Sequence, residues 1–180
     1  MRKIILVLFA LCLFAMPVMA QTIDDPVVIT WDELVDSFLE KGYSGTIYDF
    51  SDLGLRIVIP SGFEGVEITK ELEEKGIAAY FAGEENESQL ILIIIRDLGV
   101  ETLEEVAQLA VDNLDAKFAG FYQINGFDAI IFADEVNDEV VCVIPTNVDG
   151  TFIQVSVQPV SDETMNGYSG YIFGSLQPLE

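Results

Sequence analysis

Histidine is missing from the whole 180-residue chain. Its imidazole is the usual general base near neutral pH, the partner of catalytic serine and cysteine, and a common zinc ligand. The chain also lacks the Gly-x-Ser-x-Gly sequence of a nucleophile elbow. Catalysis would have to depend on carboxylates, hydroxyls or a thiol. The sequence therefore predicts a protein that is not an enzyme.

Cysteine occurs twice, as Cys12 and Cys142. Cys12 belongs to an N-terminal leader described below, so Cys142 would remain alone and no internal disulfide could form. Cys142 lies inside the apolar segment 140–144, where a cysteine behaves as a small core residue. A reactive thiolate needs cationic neighbours, and this segment has none. We therefore expect Cys142 to be buried in a strand and chemically inert.

Basic residues are few: 8 lysines and arginines face 31 acidic residues, which gives a net charge of −23. Loss of the leader would make the charge still more negative, because Arg2 and Lys3 lie in it. A surface of this sign keeps a protein soluble and repels polyanions. Nucleic acids bind proteins through Lys and Arg, so we expect no nucleic-acid partner.

The first residues have the organisation of a secretory signal peptide. A short basic start is followed by the uncharged apolar stretch 4–14, by Pro17 and by the small residue Ala20. The apolar stretch is too short to cross a bilayer, and no later segment could span one. We predict that residues 1–20 are a signal peptide cleaved after Ala20. Residues 21–180 would then be secreted, outside the cell or into the periplasm, without stable membrane insertion.

Helix signals occur at both ends of the chain and in its middle. Two segments begin with a capping box, a threonine followed three residues later by glutamate, at Thr30 and at Thr102. Apolar residues at helical spacing follow each box, the second series ending at Phe118. Asp162 is the expected N-cap of a final helix. The predicted helices cover residues 30–41, 68–75, 103–118 and 162–176.

Apolar segments between turn sequences predict four β-hairpins. Asn125-Gly126 and Asp149-Gly150 are strong hairpin turns. The run 90–95 is apolar on both faces, which predicts an interior strand covered on both sides. The predicted strands cover residues 46–50, 55–59, 77–82, 89–97, 121–124, 127–133, 140–146 and 151–158. Hairpins combined with helices define the α+β class, an antiparallel sheet with helices packed on it, in one domain over 21–180.

The tetrapeptide Gly-Tyr-Ser-Gly occurs twice, at 42–45 and at 167–170. One copy follows a predicted helix, and the other lies inside one. Because the predicted settings differ, we interpret the repetition as a coincidence.

One loop is rich in oxygen donors. Asp134, Asn137, Asp138 and Glu139 lie close together between two predicted strands. Calcium takes six to eight oxygen ligands, and an exported protein would meet it at high concentration. The spacing matches no EF-hand, and a polar hairpin turn explains the composition equally well. We favour the plain turn, keep these four residues as candidate metal ligands, and expect no cofactor.

Residues 55–63 form a predicted strand followed by Pro-x-Gly-Phe, and a later strand ends in Ile-Asn-Gly-Phe-Asp-Ala at 124–129. The order of these motifs resembles PsbP-like and Mog-like domains, a fold shared with bacterial exported proteins of the DcrB type, over about 46–176. The resemblance implies a central antiparallel sheet of hairpins with helices packed on both faces, an α/β/α sandwich. The helix predicted over 30–41 lies outside the resemblance, as an N-terminal extension.

The resemblance also implies a class of function, since members of this fold are generally non-catalytic assembly factors, photosystem subunits or GTPase-binding proteins. We therefore expect a secreted non-enzymatic accessory domain that binds a protein partner or supports a cell-envelope assembly. A small-molecule or calcium-binding exported domain is the alternative, and a carboxylate-based hydrolase comes third. An exposed apolar groove would favour ligand binding, and a flat apolar patch would favour a protein partner.

Overall fold

The structure is a computed structural model that describes residues 23–83, 90–114 and 117–179. The predicted signal peptide, residues 1–20, lies outside these residues, as does the turn 84–89 of the second predicted hairpin. Within the described residues, no helix has the length and apolar character needed to cross a membrane.

The described residues form strands β1 to β11 and helices α1 to α4. The strands are β1 (Val27–Ile29), β2 (Gly45–Phe50), β3 (Leu55–Pro60), β4 (Phe63–Gly65), β5 (Ile77–Gly83), β6 (Leu90–Asp97), β7 (Lys117–Ile124), β8 (Phe127–Asp134), β9 (Glu139–Pro145), β10 (Thr151–Gln158) and β11 (Gln177–Pro178). The helices are α1 (Trp31–Glu40), α2 (Lys70–Glu74), α3 (Leu103–Leu114) and α4 (Glu163–Gly174). A short 3-10 turn, Ser51–Leu53, joins β2 to β3. The four predicted hairpins and the four predicted helices are confirmed.

The strands form two sheets. The larger has the order β1-β7-β8-β9-β10-β6-β5-β4, and the smaller has the order β11-β3-β2. In the large sheet the neighbours are antiparallel except β1 and β7, which run parallel. The α+β class is therefore confirmed, and two details differ from the expectation of one antiparallel sheet. The large sheet is mixed at one edge, where β1 is parallel to β7. The first hairpin, β2–β3, belongs to the small sheet, which packs on one face of the large sheet.

Helices lie on both faces of the large sheet, as the resemblance implies. On one face, Val106 and Ala110 of α3 belong to a core cluster with Phe121, Phe132 and Val143 of the sheet. On the other face, α4 contacts β9, β10 and β3, and α1 packs on α4. Cover on both sides explains why the central strands carry apolar residues at nearly every position.

The two predicted capping boxes have different outcomes. At α3 the box forms, because Glu105 N–H donates to Thr102 Oγ1 and Thr102 N–H donates to Glu105 Oε2, both at 3.2 Å. Thr30 precedes α1 as predicted, but its side chain makes no capping hydrogen bond. The Trp31 N–H donates to Asn125 Oδ1 at 2.6 Å instead. A residue of the β7–β8 turn thus satisfies a helix N-terminus that the local sequence was expected to cap.

The C-terminal boundary of α3 also differs from the prediction. The helix ends at Leu114, and Phe118 lies in β7, where its backbone is opposite Phe132 of β8. The helical spacing of Leu114 and Phe118 is real, but a strand at this point gains a ladder of hydrogen bonds with β8. The prediction that the helix continues to Phe118 is therefore wrong.

Candidate functional site

An open cleft of about 700 Å³ lies between the hairpin turn of the small sheet and the segment that runs through α2 into β5. Its lining combines carboxylates with aliphatic side chains. From the hairpin come Asp49, Asp52 and Leu53, and from the opposite side come Glu73, Ile77 and Ile95. The cleft is therefore a trough that combines apolar side chains with acidic groups.

Ile95 of β6 is exposed, unlike the isoleucines that precede it on the same face of the strand. Ile91 and Ile93 are fully buried, whereas Ile95, on the same face of the strand, is 40% exposed. The prediction of a strand covered on both sides holds at Ile91, Ile93 and Ile94, which are buried, and is wrong at Ile95. The exposed isoleucine lines the cleft.

Gly76 sets the backbone at the base of this cleft. Its φ of 80° lies in the left-handed region, and its carbonyl accepts the Ile95 N–H at 2.8 Å. A Cβ at this position would collide with the carbonyl oxygen of Ile95. Glycine is thus needed here both for the backbone angle and for the close approach to β6.

The carboxylates of the cleft differ in their partners. Asp49 forms a bidentate pair with Arg56, with distances of 2.6 Å from Nε to Oδ1 and 2.9 Å from Nη2 to Oδ2. The hydrogen bonds to Arg56 hold the pKa of Asp49 below its ordinary value. Asp52 and Glu73 are exposed and have no ion pair in the part of the chain that the structure describes. Their negative charges are available to a cationic ligand.

The neighbouring acids of α2 are already paired on the helix itself. Glu71 lies 2.9 Å from the Lys75 ammonium, and Glu74 lies 4.0 Å from that of Lys70, both at i,i+4 spacing. Glu73 is therefore distinguished from its helix neighbours by facing the cleft without a lysine.

Strand β2 forms an outer edge of the small sheet and borders the cleft. Ile47 of β2 lies opposite Val58 of β3, and the Val58 N–H donates away from β2, to Ser175 Oγ at 2.8 Å. Residues that face each other in an antiparallel pair alternate between bonded and non-bonded positions. Ser61 N–H donates to the Ser44 carbonyl, which fits the same alternation. The N–H and C=O of Ile47 therefore point outward, away from β3.

Aromatic contacts hold this edge strand against the large sheet. The ring of Tyr48 lies 5.0 Å from that of Phe81 in β5, and the ring of Phe50 lies 6.5 Å from it. Ile47 points to the opposite side and is 61% exposed. The strand is thus anchored through one face, and among the described residues its outer backbone edge pairs with no other strand.

The oxygen-rich loop 134–139 is the turn between β8 and β9. Asp134 is buried, and its carboxylate accepts hydrogen bonds from Val136 N–H at 2.9 Å, Asn137 N–H at 3.1 Å and Asn137 Nδ2 at 2.7 Å. Asp138 instead accepts from the N–H and the Oγ of Ser161, at 2.8 and 2.5 Å. The side chains of Asp134 and Asn137 are thus in contact, whereas the carboxylate of Asp138 is directed towards Ser161.

Glu139, the fourth candidate ligand, is directly opposite Asp134 in the β8–β9 ladder. Burial raises the pKa of its carboxyl group, and a hydrogen bond with Ser156 opposes that rise. No group of three or more Asp, Glu, Cys or His residues close enough to hold a metal ion occurs among the described residues. The hydrogen bonds account for the polar composition of the turn. The plain turn stays our prediction, and calcium binding at these residues stays the alternative.

Cys142 is fully buried in β9, as predicted. Burial raises the pKa of its thiol far above the ordinary value. The thiol is therefore protonated and inaccessible at neutral pH, which is the state expected of a core residue.

These layers, a mixed sheet between α3 on one face and α4 with a small sheet on the other, define the PsbP/Mog-like α+β fold. The Ran-binding protein Mog1p of Saccharomyces cerevisiae is similar, with a TM-score of 0.50 and 11% identity over 77% of this chain and 97% of that chain. The cyanobacterial PsbP protein CyanoP of Synechocystis sp. PCC 6803 gives a TM-score of 0.48 and 14% identity, over 75% and 92% of the two chains. A protein from Bacteroides thetaiotaomicron gives 0.40 and 11%, over 71% and 46%.

Comparison with protein-family models and with characterised protein sequences gives no match. At these sequence identities the structural similarity concerns the fold alone. The predicted PsbP/Mog-like fold is confirmed, and the likeness to DcrB-type exported proteins stays a prediction.

No residue of the cleft is among the candidates that the sequence suggests. Asp52 lies in a hairpin turn and Glu73 on a short acidic helix, and both positions are typical of ordinary solvated acids. The one available signal is Ile95, an isoleucine at the end of an apolar run, next to Arg96. Only the tertiary structure shows that Ile95 is exposed.

Proposed function

We propose that the protein is a secreted, non-enzymatic accessory domain that binds a protein partner, alone or within a cell-envelope assembly. One observation carries this proposal: the free edge of β2 is continuous with a cleft that has aliphatic side chains below an acidic rim. A strand edge offers hydrogen bonds to another main chain, which a small molecule rarely matches. The signal-peptide pattern of residues 1–20 supports secretion.

The chemistry of the cleft supports binding better than catalysis. A carboxyl group that acts as a general acid is generally held in a buried site that raises its pKa. Asp52 and Glu73 are exposed on the rim, where water solvates both. Glu139 does have a raised pKa, but it lies in the β8–β9 hairpin and not in the cleft.

A small-molecule binding domain is the second candidate, favoured by the volume of the cleft. A volume of about 700 Å³ falls within the range of ligand pockets, about 300–1,000 Å³. Such pockets enclose most of their ligand in apolar surroundings. Here Asp49, Asp52, Glu73 and Ile95 are all exposed, so a small ligand would stay largely in water.

The experiment is purification of the tagged protein from its own cell envelope after reversible cross-linking in vivo. We expect one partner to be recovered at a constant molar ratio to the tagged protein. We also expect the complex to form again from the two purified proteins. Intact mass of the exported protein should match residues 21–180. Recovery of the protein with its leader uncleaved would contradict secretion, and recovery without any partner would contradict the binding function.

Enzymatic activity is tested separately on the purified protein, with glycosides, esters, peptides and phosphoesters as substrates. We expect no turnover. Hydrolysis that co-purifies with the protein and disappears when Asp52 or Glu73 is changed to its amide would establish the carboxylate-based hydrolase instead.

A further inference from the structure

We infer that the partner contributes an extended segment rich in Lys or Arg, which pairs with the free edge of β2 as an added strand and lies along the acidic cleft. This inference rests on the proposed function, because it specifies how a protein partner would be held. Three features of the described residues carry it: the backbone edge, the adjoining aliphatic side chains and the charge.

The backbone edge of β2 lacks the usual protection against strand pairing. Exposed edges are generally blocked by lysine, proline, a bulge or very short length. β2 has six residues, Gly45–Phe50, without Lys or Pro, and its pairing with β3 shows no register shift. Its one charged residue, Asp49, is paired with Arg56 of β3. The other outer strands among the described residues are shorter: β1 and β4 have three residues each, and β11 has two. β2 is thus the edge that offers the longest ladder.

The alternation along β2 determines which groups an added strand would meet. Ile47 directs its N–H and C=O outward, and Gly45 and Asp49 share its phase in the strand. Tyr48 and Phe50 face the large sheet. Side chains on the same face of an added strand would therefore point towards α2 and β5, where the cleft has its apolar residues. We expect apolar residues at alternate positions of the partner segment.

The net negative charge of the protein favours a basic segment as the partner and disfavours a second copy of this chain. Pairing two β2 strands would bring together two molecules that each carry a net charge of −23, and such self-repulsion opposes association. Asp52 and Glu73 on the rim lack cationic partners among the described residues. Lysine or arginine in the added segment would supply them, and the field of the whole protein would accelerate the encounter.

The probe is a capped, fluorescein-labelled octapeptide of alternating Val and Lys, titrated with the mature exported protein and followed by fluorescence anisotropy. A twin peptide carries Glu in place of Lys. Two further peptides carry N-methyl groups on the odd or on the even residues, so that only one edge of each can pair. We expect binding of the Val-Lys peptide, no binding of the Glu twin, and a loss of about tenfold or more for one N-methyl peptide but not for the other.

Variants of the protein test the same site by changing β2 and the cleft instead of the peptide. Ile47→Pro removes the outward N–H of β2 without removing a ladder bond to β3, and should weaken binding about tenfold. The double variant Asp52→Asn/Glu73→Gln should weaken it several-fold and reduce its dependence on salt. The matched control is Asp36→Asn/Glu40→Gln on the exposed side of α1, which makes the same change in charge and should leave binding unaltered.

Two results would overturn the inference. Equal affinity for the two N-methyl peptides would mean attraction by charge alone, and this test does not depend on whether Ile47→Pro folds. Full displacement of the peptide by hexyltrimethylammonium at similar concentration would mean a small-cation site. If the cross-linked partner binds the cleft variants as tightly as the wild type, the inference fails while the proposed function stands. If the cross-linking experiment recovers no partner, the proposed function itself is contradicted.

Discussion

Asn125 connects three distant parts of the protein through one side chain. It begins the β7–β8 turn with a φ of 47°, an angle that asparagine tolerates better than most residues. Its Oδ1 accepts the Trp31 N–H, and its Nδ2 donates to the carbonyls of Gly174 at 2.9 Å and Leu176 at 2.6 Å. One amide therefore caps the start of α1 and the end of α4.

The variant Asn125→Asp keeps the shape of the side chain and its tolerance of the turn, but replaces the two N–H donors by a carboxylate oxygen facing two carbonyls. We expect the free energy of unfolding to fall by about 2 kcal/mol or more, because buried acceptors lose their partners. Urea unfolding measures the change. Asn147→Asp, in the exposed β9–β10 loop, is the matched control and should have little effect. Equal effects of the two variants would show that Asn125 is not a structural link.

Glu139 is a partly buried acid whose ionisation should affect folding. Burial raises the pKa of its carboxyl group in the folded protein above the unfolded value. The folded state therefore holds the proton more tightly, so this group stabilises the fold at low pH and the stabilisation is lost as the pH rises through the folded pKa. Glu139→Gln should be more stable than the wild type at neutral pH, with a difference that shrinks on acidification.

Urea unfolding across a pH series measures this difference, with Glu40→Gln on exposed α1 as the control. A variant Glu139→Gln that is less stable than the wild type at neutral pH would show that the ionised carboxylate is stabilised, with Arg96 as the nearby cation.

At the scale of the elements, local sequence predicts those parts of the fold whose partners are nearby. Asp162 caps α4 as expected, accepting from Thr164 N–H and Met165 N–H at 2.9 and 3.0 Å. The failures are at Thr30 and Phe118, where the outcome depends on residues far along the chain. The cleft could not be predicted for the same reason, since its lining combines residues of the β2–β3 hairpin with residues of α2, β5 and β6.

The two Gly-Tyr-Ser-Gly segments illustrate this dependence on tertiary structure. One lies just before and at the start of β2 and the other lies inside α4, as the different predicted settings suggest. The fold nevertheless brings the two segments together. The ring of Tyr43 from one segment contacts the ring of Tyr168 from the other edge-on, with 5.4 Å between the ring centroids. A Cβ on Gly167 would collide with the Tyr43 hydroxyl. Glycine at position 167 is therefore needed for α4 to pack against Tyr43.

Gly167→Ala should destabilise the protein by about 1–3 kcal/mol through overpacking, although alanine is favoured in helices by about 1 kcal/mol. Tyr43 has little room to yield, because its ring also contacts Phe38 and Tyr171 at 5.4 and 5.5 Å. The double variant Gly167→Ala/Tyr43→Phe removes the hydroxyl and should recover most of the loss. A thermodynamic cycle with Tyr43→Phe alone measures the coupling, and additive effects would contradict the proposed collision.

At the scale of the whole molecule, the charge opposes the compact state. Acidic residues outnumber basic ones by 31 to 8, and folding brings them closer together than in the extended chain. The ion pairs Asp49–Arg56, Glu71–Lys75 and Glu74–Lys70 are exposed, and such pairs contribute little to stability. The excess of acidic over basic residues therefore leaves a net repulsion that opposes folding.

Moderate sodium chloride should raise the melting temperature, because screening relieves repulsion between exposed charges. Thermal unfolding at increasing sodium chloride, and at matched ionic strength with calcium chloride, measures this. We expect calcium to act as a screening ion only. A much larger rise with calcium that is lost in Asp134→Asn/Asp138→Asn would establish the 134–139 turn as a calcium site and contradict our preference for the plain turn.

The parallel pairing of β1 with β7 has a consequence for the order in which the chain can fold. Val27–Ile29 pair with residues 122–124, so during synthesis the N-terminal strand has no partner until most of the polypeptide has left the ribosome. Pairing across such a sequence separation is slow, because the intervening chain must first be brought into place. The N-terminal strand therefore completes the edge of the large sheet only after β7 is available to it, which makes β1 a late addition to the sheet although it comes first in the chain.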